Sequence, residues 1–198
     1  MNPYLAAHHE SAHAVACAVL GMPLQDAGIH IDTIGGGITF SLHRTPGDLA
    51  NAAVDVVERE RTIVMTKAGY RANLKLLHSA PSELAADDRQ KEIALLDEMY
   101  PQRGKLWVDA DERLRNESSS LVDKQWTAIQ ALAQLLLAKP ITPRPFESFT
   151  KWPTSHDAHE RWMSGNEAAV ILSKFQLAAI VRSESEGTYY APDLHPGL

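Results

Sequence analysis

The spacing of apolar and polar residues predicts a mainly helical chain. Apolar residues recur every three or four positions, the period of a helix with one buried face, over about 49–78, 87–99, 105–139 and 164–172. An alanine-rich segment near the start has helix signals at both ends. Asn2 suits the N-cap, Pro3 suits the first helical position, and Gly21 suits the position just after the last turn. We therefore expect a helix between Pro3 and Gly21.

The segment after this helix has the alternating pattern of strands. Ile29, Ile31 and Thr33 alternate with polar residues, Gly35–Gly37 provides a turn, and Ile38–Leu42 continues as a second strand. The pattern predicts a β-hairpin. The fold class expected from the whole chain is therefore mainly α (α+β), with about five to six helices and a small hairpin or sheet after the first helix.

Prolines interrupt the chain near its end and set the expected domain limits. They fall within a loop of about twenty residues, at Pro140, Pro143, Pro145 and Pro153. Ser164 and Glu167 then form a capping box for the last helix. We expect one domain over 1–176 with a Pro-rich insertion at about 140–163, followed by an irregular C-terminal tail over 177–198. Asp87 is the expected N-cap of the helix that ends near residue 99, with Gln90 in capping-box position.

Composition narrows the class of protein. A length of 198 residues suits a single domain, and the net charge of −6 disfavours nucleic-acid binding, which needs clustered Lys and Arg. The single cysteine, Cys17, excludes an internal disulfide and is expected to be a buried, inert thiol. The longest apolar run, Ala131–Ala138, is too short to span a membrane, and the start of the chain lacks the pattern of a signal peptide. We therefore expect a soluble, cytoplasmic protein.

The first predicted helix carries a His-Glu-x-x-His string, at His9, Glu10 and His13. Histidines four residues apart leave the same face of a helix one turn apart, so both imidazoles can bind one Zn²⁺ at about 2.0–2.1 Å. The adjacent glutamate can then take a proton from water at the metal rather than bind the ion. The alternative is a buried amphipathic helix whose histidines only make core hydrogen bonds.

A zinc site of this kind needs a third ligand, and several residues are candidates. His30 and His43 lie in or beside the hairpin. Asp87 and Asp88 lie at the predicted start of a helix, although acidic residues are common there because of the helix dipole alone. The long metzincin motif is excluded, because it would need Gly and His where the chain has Ala16 and Val19.

Taken together, these segments resemble the zinc peptidase domain of the FtsH family, the membrane-bound AAA proteases. The resemblance comprises the His-Glu-x-x-His helix, the hairpin with its glycine turn, the Ala68-Gly69-x-x-Ala72 segment, and the acidic pair that opens the next helix with Met99 in register. It continues in "LAQLLL" and in "SGNE" at Ser164–Glu167, so that it covers most of residues 5–175. The resemblance implies a helical zincin-like fold with Zn²⁺ held by His9, His13 and Asp88.

The sequence departs from that family in features that bear on function. These 198 residues contain neither a phosphate-binding Gly-Lys-Ser/Thr loop nor a transmembrane segment, and a Pro-rich insertion interrupts the end of the domain. Arg89 follows the implied aspartate ligand where the family has an apolar residue, which leaves Asp87 as an alternative to Asp88. We expect the chain by itself to bind no ATP and to cleave only flexible or unfolded peptides.

The leading functional hypothesis is a stand-alone zinc metallopeptidase in which Glu10 is the catalytic base. The substrate would be a peptide or an unfolded protein, held in extended form by the Ile38–Leu42 strand. The alternative hypothesis is a non-catalytic interaction or regulatory module that keeps the fold and the zinc. The sequence leaves open whether the chain acts with a second copy of itself or with a separate partner protein.

Overall fold

A computed structural model describes residues 2–33, 36–41, 52–78, 86–143 and 159–182. In chain order the elements are α1 (Pro3–Leu20), β1 (Leu24–Asp32), β2 (Gly37–Ser41), α2 (Ala52–Leu77), α3 (Ala86–Met99), α4 (Lys105–Lys124), α5 (Trp126–Leu137), β3 (Thr142–Pro143), β4 (His159–Met163), α6 (Gly165–Ser173) and β5 (Val181–Arg182). The predicted mainly helical fold with a small antiparallel sheet is confirmed. No helix within the described ranges is both long enough and apolar enough to cross a membrane.

Helix α1 forms the centre of the molecule. The predicted caps are confirmed: the Asn2 side chain accepts a hydrogen bond from the Leu5 N–H at 3.0 Å, and Gly21 has the left-handed φ of 69° that ends the helix. Fourteen consecutive residues of α1, Leu5–Ala18, are buried, because the helix packs between α2, α5 and the sheet. Its small alanine side chains permit this close packing on several sides. Cys17 is fully buried, as predicted, and burial raises the pKa of its thiol to about 12.

The sheet lies against α1, with strand β1 in its interior. The order is β2-β1-β4-β3, all antiparallel, and β5 runs parallel beside the start of β1. The predicted hairpin is present as β1 and β2, although part of its glycine turn lies outside the described residues. Gly28 of β1 has a φ of 76°, and a Cβ there would lie 2.0 Å from the Met163 carbonyl oxygen. Residue 28 must therefore be a glycine, because the chain passes from β4 into α6 directly beside it.

Two segments expected to be irregular contribute strands to this sheet. Within the expected Pro-rich insertion, Thr142–Pro143 is strand β3 and His159–Met163 is strand β4, which pairs with β3 and β1. Val181–Arg182, assigned to the irregular tail, is strand β5. Both expectations were wrong at these positions, because each strand is short and pairs with a segment elsewhere in the sequence. Residues 144–158 and 183–198 of the insertion and tail lie outside the described ranges.

The helical boundaries also differ from the prediction in the second half of the chain. The single helix expected over 105–139 is two helices, α4 and α5, separated at Gln125, whose φ of −103° and ψ of 14° are not helical. Leu135, expected in the buried stripe, is exposed. Asp87 lies inside the first turn of α3 rather than at its N-cap. By contrast, Ser164 is confirmed as the N-cap of α6, since its side chain accepts a hydrogen bond from the Glu167 N–H.

Candidate metal centre

Two imidazoles of α1 and one carboxylate of α3 meet in the interior of the protein. His9 Nε2 lies 2.9 Å from Asp88 Oδ2, and His13 Nε2 lies 3.4 Å from the same oxygen. Both histidines are buried, and their rings are 4.7 Å apart in an edge-on arrangement. Seventy-nine positions separate His9 from Asp88 in the sequence. The fold therefore brings together the three side chains that the resemblance selected.

The second nitrogen of each ring is used to orient it. His13 Nδ1 lies 2.8 Å from the Met65 carbonyl oxygen, which can only accept, so Nδ1 carries the hydrogen and leaves the Nε2 lone pair for an ion. His9 Nδ1 lies 3.2 Å from Asn73 Nδ2. Turning this amide over would present its carbonyl oxygen to Nδ1, the arrangement a ring needs when its Nε2 binds a metal. Both supporting groups belong to α2.

Gly69, also on α2, leaves the space in which the two Nε2 atoms face Asp88. A Cβ at this position would lie 2.5 Å from His9 Nε2 and 2.7 Å from His13 Nε2. Any larger residue would thus occupy the volume between the two nitrogens. Glycine inside a helix lowers helix stability by about 1 kcal/mol relative to alanine. The close approach of the two imidazoles explains why residue 69 is nevertheless a glycine.

Glu10 is held beside this group by strand β2. Its carboxylate is buried, and the Thr39 hydroxyl lies 3.0 Å from Glu10 Oε2 and 2.8 Å from the Glu10 carbonyl oxygen. A Cβ at Gly37 would lie 2.8 Å from Glu10 Oε1, so β2 approaches the carboxylate closely at a glycine. Burial raises the pKa of Glu10, while the nearby His13 and His9 lower it. The net shift is upward, in the direction that makes a carboxylate a better base.

The group is strongly polarised without an ion. Burial disfavours the charged form of His13, but the Asp88 carboxylate outweighs this and raises the pKa of His13 to about 9. Burial likewise opposes ionisation of Asp88, yet His13 and His9 hold the pKa of that carboxyl far below its usual range. The metal-free protein at neutral pH therefore contains a buried imidazolium–carboxylate pair.

The residues present suit a divalent metal ion. The ligand-capable atoms of His9, Glu10 and His13 all lie within 4.8 Å of one another. Donor atoms around a tetrahedral ion bound at about 2.0–2.1 Å would be about 3.3–3.4 Å apart. The His13–Asp88 separation of 3.4 Å matches this, and the 2.9 Å between His9 and Asp88 is that of a hydrogen bond. Two imidazoles and a carboxylate suit zinc but are not specific to it.

Within the described residues, the other candidate third ligands do not lie against the histidines. Asp87 is exposed at the surface of α3, whereas Asp88 faces inward. His30 lies on β1 with its ring nitrogens at Glu160 and the Ala27 carbonyl. His43 lies outside the described residues. Of the candidates that the structure describes, Asp88 is thus the one that lies against His9 and His13.

Sequence reasoning missed the supporting residues of the site. Thr39, Met65 and Asn73 were not singled out, because their roles depend on contacts between elements far apart in the chain. Gly69 carried the one usable signal, since it is the only glycine in the long predicted helix over 49–78. Asn73 lies one turn further along the same helix face.

No protein-family model matches the chain, and no curated protein matches it.

Proposed function

We propose that the protein is a zinc-dependent endopeptidase. One observation carries the proposal: Asp88 Oδ2 lies against the Nε2 atoms of both His9 and His13. The buried Glu10 lies beside them, on the same helix as the two histidines. A helix that merely buries its histidines has no need for a carboxylate from 79 positions away to reach both of them. The resemblance to the FtsH peptidase domain supports the same three ligands.

In this proposal His9, His13 and Asp88 hold the ion and Glu10 transfers the proton. Bound there, Zn²⁺ supplies Lewis-acid chemistry that acidifies water and polarises a peptide carbonyl. Glu10 accepts the proton from the attacking water and passes it to the leaving nitrogen. The raised pKa of the buried carboxyl favours this role, because a carboxylate of higher pKa is a stronger base toward the attacking water. Thr39 orients the carboxylate through Oε2.

The expected substrate is an extended peptide. Strand β2 ends the order of the described sheet, so its outer edge has no strand beside it within the described residues. A peptide added along that edge would make main-chain hydrogen bonds to β2. Because Gly37 and Thr39 of β2 both contact Glu10, such a peptide would lie close to the proposed base. Folded proteins would resist cleavage, since a peptide must unfold to adopt this form.

Metal analysis of the purified protein tests the proposal. We expect about one zinc per chain in the wild type and in Asp87→Ala, and loss of stoichiometric zinc in His13→Ala and Asp88→Ala. Asp87→Ala is the matched control, because it removes the neighbouring carboxylate that faces solvent. Circular dichroism of each variant verifies that it is folded. Stoichiometric zinc in folded Asp88→Ala would overturn the ligand set, and zinc without any peptide hydrolysis would favour the interaction module.

A further inference from the structure

Among the described residues, charged side chains contact the start of helix α3, which carries Asp88. Only Glu92 and Leu96 of α3 are buried, and Leu96 is the single apolar residue of the two. Leu96 lies two turns beyond Asp88, so apolar packing anchors the far part of the helix rather than its first turn. The position of the Asp88 carboxylate therefore depends on the contacts of the residues that surround it.

Those contacts come from a group that we call the α3 ion cluster, formed by Lys67, Arg89, Glu92 and Asp111. Lys67 Nζ lies 2.6 Å from Glu92 Oε2 and 2.8 Å from Asp111 Oδ1. Arg89 Nη1 lies 2.8 and 2.9 Å from the same two oxygens. Two cations thus bridge the same two carboxylates and join α2, α3 and α4. Lys67, Glu92 and Asp111 are buried, whereas the Arg89 side chain is 41% exposed.

A cluster of this kind is a weak source of stability. Taking charges out of water costs free energy that their attraction only roughly repays, and apolar residues of similar size often stabilise a protein as well or better. What charged groups offer instead is a defined geometry, because each contact has a fixed length and direction. In this protein that geometry is applied to the residues that directly follow Asp88.

We propose that the α3 ion cluster positions Asp88 against His9 and His13, with Arg89 as the positioning residue. Arg89 is the next residue after Asp88, and Glu92 is one turn further along the same helix. Fixing these two side chains against Lys67 and Asp111 fixes the rotation and the height of the first turn of α3. The ligand carboxylate then meets two histidines that α2 orients from the other side. This inference rests on the proposed metal site.

Arg115 provides a matched control. Its Nη2 lies 2.5 Å from Asp111 Oδ2, and its side chain is 45% exposed, close to the value for Arg89. Both Arg115 and Asp111 belong to α4, so this ion pair does not bind α3. Arg89→Gln and Arg115→Gln therefore each remove one half-exposed guanidinium from the same aspartate, and only the first loosens the start of α3.

The experiment measures metal binding by the full chain rather than activity. Zinc affinity is obtained by competition with a chromophoric chelator, and the visible spectrum of the Co²⁺-substituted protein reports ligand geometry. We expect Arg89→Gln to weaken zinc binding about 10- to 100-fold, as loss of a group that orients a metal ligand does, and to change the Co²⁺ spectrum. Arg115→Gln should keep the wild-type zinc affinity and Co²⁺ spectrum. Without metal, the two variants should melt at similar temperatures. Arg89→Lys should restore most of the affinity, because an ammonium can contact both oxygens as Lys67 does.

The outcomes separate this inference from the proposed function. Wild-type zinc affinity and spectrum in Arg89→Gln, or an equal loss in Arg115→Gln, would overturn the positioning role and leave the peptidase proposal standing. A wild-type protein that takes up no zinc would overturn both.

Discussion

The described part of the chain contains two buried histidine–carboxylate arrangements that differ in how the ring nitrogens are used. In the sheet, His30 Nδ1 lies 2.9 Å from Glu160 Oε1 and its Nε2 lies 2.7 Å from the Ala27 carbonyl oxygen. Each nitrogen has its own acceptor, and the ring joins β1 to β4. In the helical region, His9 and His13 each use Nδ1 for orientation, and their Nε2 atoms converge on Asp88.

This difference separates a structural histidine from a candidate ligand. Burial and a nearby carboxylate are common to both places, so neither feature alone indicates a metal site. His30 has both ring nitrogens occupied by separate protein groups, which leaves it no lone pair directed at a shared point. In the other arrangement the scaffold holds one nitrogen of each ring and directs the other two to a single oxygen, next to a space that Gly69 leaves. Convergence is therefore the property to test.

The largest effect is expected at the buried glutamate of the helical region. Glu10→Gln keeps the shape of the side chain and removes the base, so peptide hydrolysis should fall about 10²- to 10⁴-fold. Zinc content and the melting temperature should be preserved, because burial already disfavours the charged form of Glu10. Turnover of a fluorogenic unfolded peptide, normalised to bound zinc, measures the change. Activity equal to wild type would contradict the proposed mechanism.

The same substitution at the buried glutamate of the sheet should have the opposite profile. Glu160→Gln keeps an acceptor for His30 Nδ1 but removes the charge from this buried hydrogen bond, and a hydrogen bond to a charged group contributes about 1.5–3 kcal/mol. The free energy of unfolding should fall by about that amount. Zinc bound per folded chain and hydrolysis per bound zinc should match the wild type. Urea denaturation gives the stability, and loss of zinc from folded Glu160→Gln would show that the two arrangements are not independent.

How far the fold follows from the sequence depends on whether the signals are local. The caps of α1 and α6 were predicted correctly, since Asn2, Gly21 and Ser164 act on their own helices. Strand β4 was missed because its five residues form a strand only by pairing with β1, about 130 positions earlier. The break at Gln125 was missed because the apolar period continues through it, and no proline or glycine marks the end of α4.

The candidate site, too, could be predicted from the sequence only where its signals are local. His9, Glu10 and His13 were identified from spacing alone, because one helical turn fixes their relative positions. The structure puts Asp88 at their side, but the sequence pointed to it only through the resemblance, since the helix dipole explains an acidic pair equally well. The α3 ion cluster could not be recognised in the sequence, because Lys67 and Asp111 lie on helices whose packing is set by the whole fold.

The smallest effect is a pH dependence that only the converging arrangement should produce. In the metal-free protein the pKa of His13 is raised from 6.5 to about 9, so its pairing with Asp88 stabilises the fold fully below pH 6.5. That contribution is lost as the pH rises through about 9. The Asp88 carboxyl stays ionised over this range because its pKa is lowered. Metal-free protein should therefore melt at a lower temperature at pH 9 than at pH 6.5.

Zinc binding should show the opposite slope, because the ion must displace the proton that His13 holds. Between pH 6.5 and 9, zinc affinity should rise about tenfold per pH unit, with release of about one proton per ion. Titration calorimetry in two buffers of different ionisation enthalpy measures that proton, and Glu160→Gln should leave the slope unchanged. An affinity that is constant across this range would mean that His13 does not give up a proton to the metal. His13 would then be a buried histidine of the same kind as His30, and the distinction between the two regions would fail.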